Sequence, residues 1–267
     1  MDLSIVIITW NAAGLLDRCL KSIIVENPPS STYEVIVVDN GSIDHTVDVT
    51  RQYTNITLIR NEKNRGVAPA RNQGLAKARG RYLMILDVDT IVGPGALDRL
   101  VAFLDANPRV GLVGSRLVYR DGSLQYSCRR YPTLLSKVAR RLPVSMSEKL
   151  LRREYFLDRD HTSCFPVDYV IGACQVFRRE AYEQVGPLDE KIFYGPEDVD
   201  YCLRMWKAGW QVYYVGDASI VHDEQRITKR KLFSKITWRH AKALFYFFRK
   251  HRYAFSAARL PGCDDAL

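Results

Sequence analysis

The feature that most constrains this chain is a series of short apolar runs alternating with amphipathic stretches. Leu3–Thr9, Tyr33–Val38 and Tyr82–Leu86 contain very few polar side chains. A strand with water on one face alternates polar and apolar residues, whereas a run apolar throughout belongs in a sheet covered on both sides. Between the first two runs, Leu16, Cys19, Leu20 and Ile23 recur at helical spacing, with Asn11 placed to cap the helix and Asn27-Pro28-Pro29 to stop it. A short helix and a strand near Thr57–Arg60 follow, then a helix over Ala68–Ala78 ended by Gly80. Strands and helices at this pitch predict an α/β protein with a mostly parallel, doubly wound, Rossmann-like sheet and helices on both faces.

The rhythm changes after a helix expected over Pro94–Ala106. Val110–Tyr119 reads as a strand, and Tyr126–Asp160 as irregular chain with arginine pairs at 129–130, 140–141 and 152–153. Asp168–Arg178 reads as one strand, Glu197–Lys207 as a helix ended by Gly209, and Trp210–Val215 and Ser219–Val221 as two short strands. No internal repeat or low-complexity linker intervenes. A single domain over residues 1–225 followed by a helical tail over 226–267 is the simplest organisation.

Charge separates the tail from the rest. The 267 residues hold 39 Lys and Arg against 30 Asp and Glu. Eleven of the basic residues lie between Arg226 and Cys263, a stretch without one acid, so the remainder is close to neutral. That distribution excludes a general nucleic-acid binder and points to a local anionic partner such as a phospholipid surface. Lys229, Arg230, Lys231, Lys235, Arg239 and Lys242 are interleaved with Leu232, Phe233, Ile236, Trp238 and the run Leu244–Phe248, a mixture that suits a membrane interface. Helices packed on the domain would look similar. No stretch reaches the ~18 apolar residues of a membrane span, and strand-like sequence from Leu3 leaves no basic leader, so a cytoplasmic protein peripheral to the inner face of the cell membrane is expected. The six cysteines lack C-x-x-C or close Cys/His spacing, which disfavours zinc and predicts free thiols.

The polar residues gather where strands end, which in parallel sheets is the ligand-binding edge. Thr9 and Asn11 follow the first run, Asp39 the second, and Asp87 and Asp89 the fourth strand. Any one of these could merely cap a loop. Asp87-Val88-Asp89 also sets two carboxylates one residue apart, where they repel unless a cation or water offsets them; a hard divalent ion that also holds phosphate oxygens would do so. His222, after Ser219–Val221, could supply a third ligand or be a satisfied histidine. Glu197-Asp198 opens a helix, where acids favour the backbone dipole; the functional alternative is that one carboxylate serves as a general base, aimed by Gly195-Pro196. Arg65 and Arg71 flank a helix start, where a guanidinium could bind phosphate or ribose. Neither G-x-G-x-x-G after the first strand nor a P-loop occurs.

In combination, Ser4–Asn11, Val38-Asp39-Asn40-Gly41-Ser42, Asn64-Arg65-Gly66 with Ala70-Arg71-Asn72, Leu86–Thr90 and Tyr194–Arg204 make the chain resemble glycosyltransferase family 2, whose members have the GT-A fold. The likeness covers roughly residues 3–225 and is strongest to the rhamnosyltransferase-like branch, in which E-D-V-D precedes C-L-R and a basic tail. It implies a nucleotide-sugar-binding half over 1–119 and an acceptor and catalytic half over 120–225. Thr9 and Asn11 would line the nucleotide pocket, Asp39 would bond the pyrimidine, and Arg71, with Arg65, would lie near the nucleotide and phosphates. Asp89 would bind Mg2+ or Mn2+, Asp87 would contact ribose or donor sugar, and His222 would complete the metal site. Asp198 would be the catalytic base, with Glu197 beside it. The implied reaction is inverting transfer from a UDP- or dTDP-sugar, dTDP-rhamnose among them, to a cell-envelope glycan or lipid-linked acceptor. Segment 120–165 matches nothing in the family pattern.

Two rival classes fit less well. A nucleotidyltransferase needs a Gly- and Arg-rich loop after the first strand, unlike Thr9-Trp10-Asn11-Ala12-Ala13-Gly14. A catalytically inactive scaffold of a membrane polysaccharide assembly pathway would not need the Asp87, Asp89 and Asp198 set.

Overall fold

The computed structural model describes residues 1–139, 148, 151–192, 195–224, 235–256 and 261–262. The first half contains β1 (Leu3–Thr9), α1 (Ala13–Lys21, continued by a π turn over Ser22–Glu26), β2 (Tyr33–Asp39), α2 (Thr46–Arg51), β3 (Ile56–Arg60), α3 (Val67–Lys77), β4 (Tyr82–Asp87), β5 (Thr90–Val92), α4 (Ala96–Ala106) and β6 (Val110–Val118). There follow β7 (Leu124–Gln125), β8 (Cys128–Arg129), α5 (Leu134–Ala139), β9 (Phe165–Pro166), β10 (Tyr169–Val170), β11 (Cys174–Arg178), α6 (Arg179–Val185), α7 (Glu197–Lys207), β12 (Gln211–His222) and α8 (Lys235–His251).

The main sheet runs β3-β2-β1-β4-β11-β6-β12-β5, and β8 and β10 form a separate two-stranded ladder. Pairing is parallel from β3 through β4, antiparallel on both sides of β11, and parallel again between β6 and β12. The apolar runs are explained by cover on both faces. Along β1, Leu3, Ile5 and Ile7 pack with α1 and α4, while Val6 faces the other core, with Ala70 and Leu75 of α3.

The tail helix α8 belongs to that second core. Phe247 and Phe248 are buried in it, and burial of such a side chain is worth about 1.5–3 kcal/mol. Lys250 Nζ and His251 Nε2 reach Asp200 Oδ1 of α7 at 2.7 and 2.8 Å, and Lys207 donates to His251 Nδ1 at 3.0 Å. Burial alone would raise the Asp200 carboxyl; these donors hold it below its ordinary value. No described helix is long and apolar enough to cross a membrane.

Three local expectations are corrected. Asn11 does not cap α1: the cap position is Ala12, and Asn11, at φ 49°, turns its Oδ1 to the Ile43 N–H at 2.9 Å. Asp168–Arg178 is not one strand, because the chain leaves β10 and passes Gly172 before joining the main sheet as β11. Conversely, the two short strands after Trp210 are a single strand, β12, carried across Gly216 by a register shift between Val215 and Ser219. A Cβ at Gly216 would lie 2.3 Å from the Ser163 carbonyl oxygen, so this glycine marks close approach of backbone and not a break. Cys19, Cys128, Cys164, Cys174 and Cys202 are free thiols; Cys263 lies outside the described residues, as does tail segment 225–234.

Candidate active site

Sheet register brings the strand ends together. Thr9 pairs with Asp39 and Ile8 with Asp87, so β1, β2 and β4 finish at one edge. Thr9 and Asp39 are buried there. Asp39 Oδ1 accepts the Ser42 N–H at 3.1 Å, and Ser42 Oγ accepts that of Asn11 at 2.8 Å, which ties the two strand-end loops together. The Thr9 hydroxyl has no hydrogen-bond partner among the described residues, so this edge presents a buried polar atom able to take a hydrogen bond. Asn40, which was not singled out in the sequence, organises the neighbouring loop. Its Oδ1 accepts the Arg65 N–H at 3.0 Å and its Nδ2 donates to the Gly66 carbonyl at 3.1 Å. Arg65 itself points to solvent.

Asp87, Asp89 and His222 each turn a ligand atom into one spot, with the three atoms within 4.8 Å of one another. Strand pairing accounts for the meeting: β12 runs antiparallel to β5, setting His222 opposite Thr90, and the Asp223 N–H bonds the Asp89 carbonyl at 2.8 Å. His222 Nδ1 lies 2.6 Å from Gln125 Oε1, and Nε2 lies 3.4 Å from Asp89 Oδ1. With Nδ1–H donated to the Gln125 oxygen, the Nε2 lone pair faces the carboxylates, the arrangement of an oriented metal-binding histidine. Gln125 is a second residue that sequence reading missed, since nothing in Leu124–Gln125 marks a distant histidine. Burial, and next the nearby Asp89, push the Asp87 carboxyl above its ordinary range despite Arg71. Two carboxylates that repel each other, with an imidazole nitrogen beside them, suit a divalent cation.

The adjoining wall of the site is the start of α7. Asp198 Oδ2 accepts the Gly172 N–H at 3.1 Å and Oδ1 the Val199 N–H at 2.8 Å, which fixes the carboxylate at the helix terminus. Glu197 is buried, and one of its oxygens, Oε2, lacks a partner among the described residues. Burial, reinforced by Asp198 next to it, pushes its carboxyl up to about 7.

Arg71 joins the two walls. Its side chain is only 4% exposed; Nη2 meets Asp87 Oδ1 at 2.7 Å and the Gly172 carbonyl at 2.8 Å, and Nη1 meets Glu197 Oε1 at 3.2 Å. Of the arginines expected near the nucleotide, this one is engaged by protein acceptors. Thus Thr9, Asn11, Asp39 and Arg65 border one end of the strand edge, while Arg71, Asp87 and Glu197 are in direct contact.

This architecture is shared with known proteins. The family described as Glycosyl transferase family 2 matches residues 4–186, and the one described as Glycosyltransferase (GlcNAc) matches residues 154–259. The chain belongs to glycosyl transferase family 2. It is similar to the N-acetylglucosaminyl-diphospho-decaprenol L-rhamnosyltransferase of Mycobacterium tuberculosis, with 30% identity over 93% of this chain and 85% of that protein. It is also similar to glycosyltransferase AglE of Haloferax volcanii, with 27% identity over 82% of this chain and 66% of the relative. Among solved structures, the mannosyltransferase PcManGT of Pyrobaculum calidifontis, in complex with GDP-Man and Mn2+, superposes with a TM-score of 0.65 at 23% identity, over 93% of this chain and 63% of its own. GalNAc-T7 with UDP, GalNAc and Mn2+ gives a TM-score of 0.65 at 18% identity, over 96% and 55% respectively. The fold is therefore GT-A, and the chain is a rhamnosyltransferase-like family 2 enzyme of the inverting, nucleotide-sugar-dependent type.

Proposed function

We propose that the chain moves one sugar, with inversion, from a UDP- or dTDP-sugar, dTDP-rhamnose among them, to a lipid-linked cell-envelope acceptor; the similarity to a mycobacterial L-rhamnosyltransferase favours rhamnose as the sugar. The observation that carries this reading is the contact chain from Asp87, beside Asp89 and His222, through Arg71 to Glu197, the neighbour of Asp198. Asp87, Asp89 and His222 would hold Mg2+ or Mn2+, which would stabilise charge on the diphosphate leaving group. The Mn2+ held by the two superposed structures supports that choice.

Thr9, Asn11 and Asp39 line the strand edge where the nucleotide base and ribose would lie, with Arg65 at its rim. Asp198 accepts the proton of the acceptor hydroxyl as that oxygen attacks the anomeric carbon. Glu197 and Arg71 keep it in register with the donor. A general base of this kind contributes about 10²–10⁴ in rate. Residues 1–119 serve the donor and residues 120–225 the acceptor and base.

The tail is the proposed attachment to an anionic membrane on the inner face of the cell membrane. The outward face of α8 exposes Trp238 (74%) and Phe245 (70%) together with Lys242 and Arg249, a spacing that lays aromatic and basic groups along one side.

A panel of UDP-, dTDP- and GDP-sugars, each hydrolysed with Mn2+ or with chelator, tests the donor reading; turnover unchanged by chelation removes the cation's role. Flotation with anionic and neutral vesicles tests the tail. Equal binding to both vesicle types by Trp238→Ala/Phe245→Ala protein and the parent would refute attachment through this face.

A further inference from the structure

The arginine pair 129–130 is not used by the donor chemistry, and its two members face opposite ways. Along β8, side chains alternate: Cys128 contacts His161, Arg129 turns to the other side, and Arg130 returns to lie over the Phe156 ring at 4.8 Å. Arg130 is therefore part of the packing beneath the ladder. Arg129 instead lies over the Tyr155 ring at 5.2 Å, with Nε donated to the Tyr126 carbonyl at 3.1 Å. Its strand partner is Tyr169, three residues before the Gly172 whose N–H holds Asp198, and Asp198 acts on its charge. Its guanidinium is also hydrogen-bonded to the Tyr169 side chain, and among the described residues no carboxylate forms an ion pair with it.

An acceptor that brings a phosphate toward Asp87, Asp89, Glu197 and Asp198 meets a wall of acids. Arg71 is already bonded to two of them. A cation that is held in place but not neutralised by contact is what such an approach requires, and a guanidinium stacked on an aromatic ring still offers donors at its edge.

We propose that Arg129 is the acceptor-side anion contact, its guanidinium taking a phosphate oxygen of an acceptor whose sugar is carried on a lipid diphosphate. The inference rests on the transferase reading and adds to it the residue that selects phosphorylated acceptors.

The test is calorimetric titration of the full chain with farnesyl diphosphate, in saturating Mn2+ and nucleoside diphosphate so that the donor's own diphosphate position is filled. Arg129→Gln is expected to weaken binding at least tenfold, and Arg129→Lys, which keeps a point charge, to fall between. Thermal melts of the variants verify that they fold. Binding by folded Arg129→Gln within twofold of the parent, or no binding by the parent, overturns the proposal. Donor hydrolysis by the parent protein reports separately on the transferase reading. If hydrolysis is present and binding is independent of Arg129, only the Arg129 assignment fails.

Discussion

The regions proposed to serve donor and acceptor are built by different means. On the donor side, Thr9, Asp39 and Asp87 are placed by continuous ladders of five to seven paired residues, with β1, β2 and β4 buried on both faces. On the acceptor side, Arg129 and Gly172 are placed by a ladder of two residue pairs, β8 with β10, and by contacts between residues far apart in the chain. A residue at the end of a long parallel strand can hardly shift without moving the sheet, whereas the short ladder depends on each side-chain contact. The donor side is therefore fixed by backbone pairing and the acceptor side by side chains.

Breaking the Arg71 link between them should have the largest effect. Arg71→Ala leaves Asp87 and Glu197 facing each other without their shared cation, and removing one partner of a buried pair costs about 3–5 kcal/mol. A melt within about 1 kcal/mol of the parent would mean that the two sides stand independently. Next come the chemical groups. Asp89→Ala and Asp198→Ala should each lower transfer on the order of a hundredfold or more. Only Asp89→Ala should lose stimulation by Mn2+, and Asp198→Ala should bind nucleotide within threefold of the parent by calorimetry. Loss of nucleotide affinity in Asp198→Ala would blur the division of labour.

Smaller effects probe how the base helix is supported. His251→Ala removes one of the donors to Asp200 and should cost about 1–2 kcal/mol in chemical denaturation, since Lys250 and Arg204 remain. The last concerns Glu197 and is read as a slope against pH. Its folded carboxyl is pushed from 4.5 to about 7, so the folded chain keeps a proton that the unfolded chain releases between these values. Stability is then greatest below the unfolded value and declines as pH rises toward 7. In metal-free protein, Glu197→Gln should flatten that decline in melts between pH 5 and 7.5. Parallel curves would show that Arg71 already holds Glu197 ionised.

What was legible in the sequence follows the same division. The strands of the parallel half were visible because burial on both faces makes an unbroken apolar run, and their ends drew attention to Thr9, Asp39 and Asp87. Helix α7 was visible from its periodicity and its acidic start. The break at Gly172 was not, because its cause is a guanidinium from residue 71, a hundred positions away, bonded to its carbonyl. Gln125 and Arg129 were hidden for a related reason: a two-residue strand has no period to detect. The docking of α8 was ambiguous because one face is apolar and the other mixes aromatic with basic residues, a pattern shared by packed and membrane-facing helices.

Gly172 leaves room for the guanidinium that joins the strand edge to the start of α7. A Cβ there would come within 2.8 Å of Arg71 Nη1, and that nitrogen cannot retreat because Glu197 holds it while Asp87 and the Gly172 carbonyl hold its neighbour. The seating of the Arg71 clamp is thus governed by a missing methyl group: an alanine at this position would press on the guanidinium and loosen its hold on Asp87 and Glu197 together.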